Sequence, residues 1–158
     1  MDNNTKVIIG RVEIVSFPGL GIGDLHARID TGAQTSALWA SSVREKDGRL
    51  EAVLFGKGHP CYTGVTVVFK DYSLGMVASS NGQAELRYKI RTLICIGGKR
   101  IRARLTLADR SALTYPALVG RNVLRGKFIV DVKVGTPLKA AEKARSAKLQ
   151  SQQKGRSK

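Results

Sequence analysis

The feature that most constrains the fold is a pair of alternating runs joined by two glycines. Residues 85–96 (ELRYKIRTLICI) and 99–108 (KRIRARLTLA) alternate apolar with polar side chains, and Gly97-Gly98 separates them. Alternation with period two is typical of a β-strand that buries one face. Glycine readily adopts the positive φ angles of the tightest two-residue turns. The sequence therefore predicts an antiparallel hairpin over 85–108.

Further short apolar runs with glycines between them predict that the rest of the domain is also β. A glycine-rich turn is predicted at 18–24, and one turn of helix at 121–125 is the only helix predicted inside the domain. The run at 25–30 is expected to return antiparallel to the first strand. Short strands of this kind favour an all-β fold, a small closed barrel with one short C-terminal helix. The other predicted strands are 6–17, 25–30, 50–55, 64–71, 115–120 and 127–132.

The composition changes after Gly135. Residues 136–158 contain seven Lys or Arg and one Glu, and their only large apolar side chains are Leu138 and Leu149. The sequence thus predicts a domain over 1–135 and a basic tail over 136–158 that is partly helical or disordered. The whole chain has 27 basic and 12 acidic residues and a formal charge of +15. This excess favours anionic partners, and binding of nucleic acid through the tail is one of the expectations.

The apolar residues are too dispersed for a membrane-spanning segment. No window approaches the roughly 18 consecutive apolar residues that a transmembrane helix needs, so no membrane partner is expected. The first ten residues (MDNNTKVIIG) lack the charged region and apolar stretch of a secretory signal. These features predict a cytoplasmic protein.

The run at 25–30 ends in Asp30, and Thr31 and Gly32 follow it. An isolated aspartate at a strand end is usually a turn former, because its side chain accepts hydrogen bonds from nearby backbone amides. A second segment changes this interpretation. Residues 116–124 (PALVGRNVL) place apolar residues and a glycine before Arg121 and a short helical turn.

Together these segments resemble the retropepsins, in which a strand ends in Asp-Thr/Ser-Gly-Ala and a later apolar-apolar-Gly-Arg-Asn/Asp segment packs behind it. The resemblance is closer still to the retropepsin-like proteases associated with the RimK glutamate ligase, a group often labelled "ATP-dependent zinc protease". It covers roughly residues 6–134. The resemblance implies an acid-protease barrel and the activity of an aspartic-type endopeptidase, a hydrolase.

The resemblance implies that Asp30, Thr31 and Gly32 form the catalytic loop. One carboxylate cannot be both general base and general acid on an amide, whereas two carboxyls that share a proton can. A chain with one such aspartate is therefore expected to form a homodimer in which Asp30 meets Asp30 across a two-fold axis. Thr31 is expected to bond across the dimer, and Gly32 to allow close approach of the backbone and the substrate.

The predicted substrate contacts lie beside this loop and on a flap over residues 72–92, although an ordinary surface loop is the alternative for the flap. In viral retropepsins the matching arginine pairs with an acid where this chain has Gln34. We expect Asp131, a backbone carbonyl or an anionic substrate to replace that acid. The hypothesis is a peptide or protein substrate that is acidic, such as a glutamate-rich tail. The predicted substrate-binding residues are Ala33, Gln34, Ser79, Ser80, Asn81, Gly82 and Arg121.

No metal ion or other cofactor is predicted. Catalytic zinc needs about three protein ligands, and the sequence offers only His26, His59 and Cys61 without a zinc-binding motif. No phosphate-binding loop supports ATP. The alternative function is a retropepsin-fold module without peptidase activity that binds an anionic partner, such as RNA or an acidic peptide. The basic face of residues 99–108 fits that alternative, and it also fits a simple solvated surface.

Overall fold

The computed structural model describes residues 5–78 and 81–156. Its helices are α1 (Arg121–Leu124) and α2 (Lys139–Arg156), and a single 3₁₀ turn covers Pro18–Leu20. The strands are β1 (Val7–Ile9), β2 (Val12–Phe17), β3 (Ile22–Ile29), β4 (Ser36–Lys46), β5 (Arg49–Leu54), β6 (Thr66–Phe69), β7 (Tyr72–Ala78), β8 (Ala84–Ile96), β9 (Lys99–Ala108), β10 (Ala117–Val119) and β11 (Phe128–Val130).

Six of the strands close into a barrel in the order β10, β3, β2, β8, β9, β4 and back to β10. The pairings β10–β3 and β4–β9 are parallel, and the others in the ring are antiparallel. β5 and β6 extend the sheet from β4, and β7 pairs with the outer part of β8. The predicted all-β fold with a small closed barrel and one short C-terminal helix is confirmed.

The hairpin predicted over residues 85–108 has the predicted form. β8 and β9 pair antiparallel from Ile96↔Lys99 to Lys89↔Thr106. Gly97 and Gly98 have φ angles of 57° and 78°. Positive φ at both central residues is the requirement of a type I′ turn, which matches the twist of the flanking strands.

Alternating side chains from the ring strands fill the barrel with one apolar core. Its fully buried members include Phe17, Leu38, Ile90, Ile94 and Leu105. Ile90 and Ile94 share one face of β8, whereas Arg91 on the opposite face is exposed. The period-two pattern therefore separates core from solvent as the sequence predicted.

One predicted strand was wrong in its extent, and the strand β4 was missed. The single strand predicted at 6–17 is two strands, β1 and β2, and β1 leaves the barrel to pair with β11. The break falls at Gly10, where a Cβ atom would lie 1.9 Å from the carbonyl oxygen of Val134. The chain just before the tail therefore crosses over Gly10. Strand β4 was not predicted; it begins in small residues and buries Ser36, Ala37 and Leu38 in succession, so it lacks alternation.

The chain beyond Gly135 forms the helix α2, and the beginning of that helix contacts the domain. Thr136 donates its backbone amide to the carbonyl oxygen of Val12 at 2.8 Å, and Arg145 Nε donates to the carbonyl oxygen of Ala112 at 3.1 Å. The later turns of α2 are exposed. The predicted domain boundary at residue 135 stays a prediction. No helix within residues 5–78 and 81–156 is both long and apolar enough to cross a membrane.

The crossing at Gly10 gives a stability prediction. Gly10→Ala should lower the free energy of unfolding by about 1–3 kcal/mol, the usual cost of overpacking, because backbone atoms on both sides must shift. Gly23→Ala is the matched control, since a Cβ there meets nothing within 4 Å. Urea denaturation followed by circular dichroism measures both variants. Equal stability of the two would contradict the close crossing.

Candidate active site

Asp30 stands at the end of β3, beside the carboxyl end of β10. The alternate β3 residues Leu25, Ala27 and Ile29 are buried in the core, and Asp30 belongs to the opposite face together with Arg28. The backbone amide of Asp30 donates to the carbonyl oxygen of Val119 at 2.9 Å, which continues the β3–β10 pairing by one residue. The carboxylate is thus carried by the barrel wall and is only partly buried.

A tight turn follows Asp30. The backbone amide of Gly32 donates to Asp30 Oδ1 at 3.0 Å, and the amide of Ala33 donates to the carbonyl oxygen of Asp30 at 3.2 Å. A Cβ on Gly32 would lie only 3.3 Å from Asp30 Oδ1, so glycine keeps this bond uncrowded. Asp30 therefore forms the side-chain-to-backbone turn expected of a lone aspartate. Within the described residues, the other carboxylate oxygen of Asp30, Oδ2, accepts no hydrogen bond.

Arg121 lies behind this turn and holds it. Its backbone amide donates to the carbonyl oxygen of Ala33 at 2.8 Å, and its Nη1 donates to the carbonyl oxygens of Thr31 at 3.2 Å and Gly32 at 2.9 Å. Of the partners that the sequence left open, backbone carbonyls thus bind Arg121. Asp131 instead accepts the backbone amide of Lys133 at 2.9 Å. The ion pairs among the described residues do not include Arg121, so no acid neutralises its charge.

A buried polar network joins α1 to the beginning of β4, and sequence reasoning missed it. Ser36 is fully buried; its hydroxyl donates to Asn122 Oδ1 at 2.7 Å and accepts the backbone amide of Gly120 at 2.9 Å. Asn122 Nδ2 donates to the carbonyl oxygen of Arg104 at 2.8 Å. The sequence pattern that could have predicted this network is a hydroxyl residue shortly after the Asp-Thr-Gly turn and an asparagine beside Arg121.

Gly120 lets the two segments come this close. A Cβ there would lie 2.3 Å from the carbonyl oxygen of Thr35 and 2.8 Å from that of Ala33. Both contacts are with backbone, so a side chain could be accommodated only by separating the loop from α1. The glycine of the second segment is therefore a packing requirement, and it fixes where Asp30 sits.

The surroundings of Asp30 are strongly basic. Arg110 is 8% exposed, and its Nε donates to the carbonyl oxygen of Tyr115 at 3.0 Å. Burial, and then the charges of Arg28 and Arg87, together lower the pKa of Arg110 to about 10, while the charge of Asp30 acts in the opposite direction. Arg28 and Arg110 therefore lie on the side of the barrel that carries Asp30, whereas the charge of Arg87 is paired with Glu85 at 3.1 Å. None of the three was predicted as a site residue.

The predicted flap is a hairpin made of β7 and the outer half of β8, paired from Tyr72↔Ile90 to Ala78↔Ala84. At its tip Asn81 and Gly82 are exposed, and Asn81 Oδ1 accepts the backbone amide of Gln83 at 3.1 Å. Ser79 and Ser80 lie outside the described residues. Whether this hairpin covers a substrate stays a prediction.

A small cavity of about 150 Å³ lies beside the Asp30 loop. Its lining includes Gln34 and Asn122, with Lys89 from β8 and Arg104 from β9. Of the other predicted contact residues, Ala33 is partly buried and Gln34 is exposed. The structure thus places two cations next to Gln34, the position where the sequence lacks the acid of the viral pattern.

The residues considered for zinc do not form a metal site. Across the described ranges, no three His, Cys, Asp or Glu side chains come together as metal ligands would. His59 Nδ1 accepts the backbone amide of Cys61 at 3.0 Å, and its ring stacks on Phe55 with the centroids 4.7 Å apart. Desolvation lowers the pKa of His59, which fits a packed aromatic role.

Comparison with known proteins agrees with the fold and the order of the motifs. Residues 8–136 match a family model described as "Retropepsin-like aspartic endopeptidase RimB". Probable alpha-L-glutamate ligases of Shewanella pealeana and Desulfotalea psychrophila are 33% and 34% identical to this chain over 82% and 80% of its length. The chain spans only 29% and 28% of those relatives. A Legionella pneumophila crystal structure of unknown function has a TM-score of 0.62 at 25% identity, covering 83% of this chain and 97% of that one.

The buried network gives a testable prediction. Ser36→Ala removes a hydroxyl that serves both Gly120 and Asn122, so it should lower the free energy of unfolding by about 1–3 kcal/mol, the cost of leaving buried polar groups unpaired. Ser41→Ala is the control on the same strand, because Ser41 is exposed and makes only a 3.5 Å contact with the carbonyl oxygen of Val53. Chemical denaturation compares the two. If Ser36→Ala lowers the free energy of unfolding no more than Ser41→Ala does, the assigned network is contradicted.

Proposed function

We propose a function for this chain, which belongs to the RimB-like family of retropepsin-like aspartic endopeptidases. We propose that it is an aspartic-type peptidase that acts as a homodimer. Asp30 of each chain would supply one of the two catalytic carboxyls. The observation that carries the proposal is the fixed Asp-Thr-Gly turn, with a partly buried carboxylate on the barrel wall and α1 locked behind it.

The chemistry requires two carboxyls at hydrogen-bonding range, about 3 Å, that share one proton. The ionised carboxylate takes a proton from water as the water oxygen attacks the peptide carbonyl carbon. The protonated carboxyl gives its proton to the carbonyl oxygen, and a tetrahedral intermediate forms. Transfer of a proton to the leaving nitrogen then breaks the carbon–nitrogen bond. Each chain offers a single Asp-Thr-Gly turn, so the second carboxyl comes from a second copy.

The other site residues have supporting roles in this proposal. Thr31 and Gly32 are exposed beside Asp30, where Thr31 can bond to its symmetry mate and Gly32 leaves room for a substrate backbone. Ala33 and Gln34 border the groove, and Arg121 holds the turn. The β7–β8 hairpin, with Asn81 and Gly82 in the described part of its tip, would close over the substrate and exclude water.

We propose further that the substrate is an acidic peptide or protein segment. Arg28 precedes Asp30 by two residues on the same face of β3, Arg110 interacts electrostatically with Asp30, and Lys89 and Arg104 line the cavity beside Gln34. Such a group of like charges attracts anions and repels basic peptides. The relatives named as probable alpha-L-glutamate ligases favour glutamate as the acidic residue, because a segment similar to this chain occurs within proteins that handle that amino acid.

A second candidate is an anion-binding module without peptidase activity. It is favoured by the outer face of the β8–β9 hairpin. Arg91 and Arg104 are opposite each other in the strand register there, and Arg100 and Arg102 are also exposed. This surface, together with the lysines of α2, would contact phosphates of a nucleic acid or carboxylates of a peptide. The two candidates differ in their dependence on Asp30.

Replacement of Asp30 separates the two. Asp30→Asn should abolish peptide cleavage, because an amide cannot take the proton from water, while dimerisation measured by sedimentation persists. Asp24→Asn is the matched control, since Asp24 is an exposed aspartate on the same face of β3. Mixed dimers of wild type and Asp30→Asn should also be inactive. Cleavage by Asp30→Asn, or by a strictly monomeric protein, would refute the shared-proton mechanism.

Substrate charge is tested with two peptides that differ only in their tails, one ending in six glutamates and the other in six glutamines. The first should be cleaved with at least tenfold higher kcat/KM, about 1.4 kcal/mol of transition-state preference. Arg104→Gln should reduce the preference several-fold, and Arg100→Gln, on the same face of β9 but outside the cavity beside Gln34, should not. Equal cleavage of both peptides, or cleavage of neither, would rule out the acidic substrate.

A further inference from the structure

Glu142, the only acidic residue after Gly135, is held by groups of the barrel domain. Arg11 binds its carboxylate with both terminal nitrogens, Nη1 to Oε1 at 2.8 Å and Nη2 to Oε2 at 3.0 Å. The hydroxyl of Tyr115 donates a short hydrogen bond to Oε1. A bidentate contact from arginine, together with a hydrogen bond from a phenol, is sufficient to bind one carboxylate.

The segment that carries Glu142 covers part of the barrel surface. Val12 is 0% exposed and Tyr115 is 6% exposed, yet neither belongs to the main core. Val12 accepts the backbone amide of Thr136 at 2.8 Å, and the hydroxyl of Tyr115 accepts the backbone amide of Leu138 at 2.9 Å. Both residues are therefore buried close to the chain that leads into α2.

This covered surface lies next to Asp30. Val12 pairs with Arg28, which is two residues before Asp30 on the same face of β3. The carbonyl oxygen of Arg11 accepts the backbone amide of Ile29 at 2.9 Å. Hydrogen bonds from Arg11 and then Tyr115 lower the pKa of Glu142, and the charge of Arg28 contributes in the same direction. Two residues along a strand span roughly 7 Å, so Arg28, whose charge acts on Glu142, is also close to Asp30.

We propose that Arg11, Tyr115 and Arg28 form a carboxylate-binding subsite beside Asp30, and that Glu142 of α2 occupies it as an internal competitor of glutamate-rich peptides. The consequence for catalysis rests on the proposed function; the subsite itself does not. An extended peptide places side chains of one face roughly 7 Å apart. A peptide bound over Asp30 would therefore present a neighbouring glutamate to Arg11 and Tyr115 once Glu142 has left.

The tail is suited to this competition because, apart from the hydrogen bonds already described, it makes little apolar contact with the domain. Leu138 and Leu149, its large apolar side chains, are 37% and 42% exposed. Only six residues lie between Gly135 and Glu142, so the tethered carboxylate acts at a local concentration in the millimolar range, as short flexible linkers give. A peptide with several glutamates could displace it, whereas a neutral peptide would meet the subsite already filled.

The test measures binding, which does not depend on cleavage. A fluorescein-labelled hexaglutamate peptide is titrated by anisotropy into the full chain carrying Asp30→Asn, to prevent turnover. Adding Glu142→Gln should lower Kd at least fivefold. Asp47→Asn is the matched control, because it makes the same change in net charge at the exposed β4–β5 turn and should leave Kd within twofold. Arg11→Gln in the Glu142→Gln background should restore the weaker binding.

A second measurement distinguishes competition from a purely structural contact. Hexaglutamate should increase amide hydrogen exchange in residues 139–150 of the otherwise unchanged chain, because the peptide displaces Glu142. If Glu142→Gln lowers Tm but leaves Kd equal to that of Asp47→Asn, Glu142 is only a structural clamp and the proposal is wrong. Absence of hexaglutamate binding to every variant also overturns it. Failure of the peptidase proposal would appear separately, as absence of cleavage with these binding results intact.

Discussion

The candidate site depends on the contact between the turn after Asp30 and the segment Gly120–Asn122. The turn exposes the carbonyl oxygens of Thr31, Gly32 and Ala33, and Arg121 donates to all three. Gly120 permits this approach because it has no side chain. Backbone carbonyls are obligatory hydrogen-bond acceptors, and here the arginine supplies the donors that a strand partner would supply. It thereby supports the turn that carries Asp30, in addition to the hydrogen bonds of Asp30 with Val119 and Gly32.

The same arrangement explains the role of the arginine in a basic site. A guanidinium is charged with either partner, but a paired acid compensates that charge, whereas neutral carbonyls leave it uncompensated. Gln34 in place of an acid therefore leaves the region beside Asp30 more positive, and Arg28 and Arg110 add to it. The negative charge of Asp30 interacts with the positive charge of Arg110.

Much of the fold could be predicted from local patterns, because alternation and paired glycines act over a few residues. The hairpin over 85–108 and the antiparallel return at 25–30 were of this kind. β4 escaped prediction because it lies between β9 and β10 and is buried without alternation at its beginning. The break at Gly10 was missed because its cause, the carbonyl oxygen of Val134, is more than 120 residues away in the sequence. The residues of the Asp-Thr-Gly turn could be singled out from the sequence, but Ser36, Arg110 and the contact of Glu142 with Arg11 required the tertiary structure.

The parallel pairing of β3 with β10 has a consequence for the order of folding. Arg121 and Thr31, which this pairing brings together, are 90 residues apart. Closing so long a loop costs chain entropy that only the finished contact repays, so such contacts tend to form late. The β8–β9 hairpin, in contrast, needs only neighbouring residues. During synthesis the chain can assemble most of its sheet while the turn at Asp30 still lacks its support, and the site becomes organised only when the last strands of the barrel have been made.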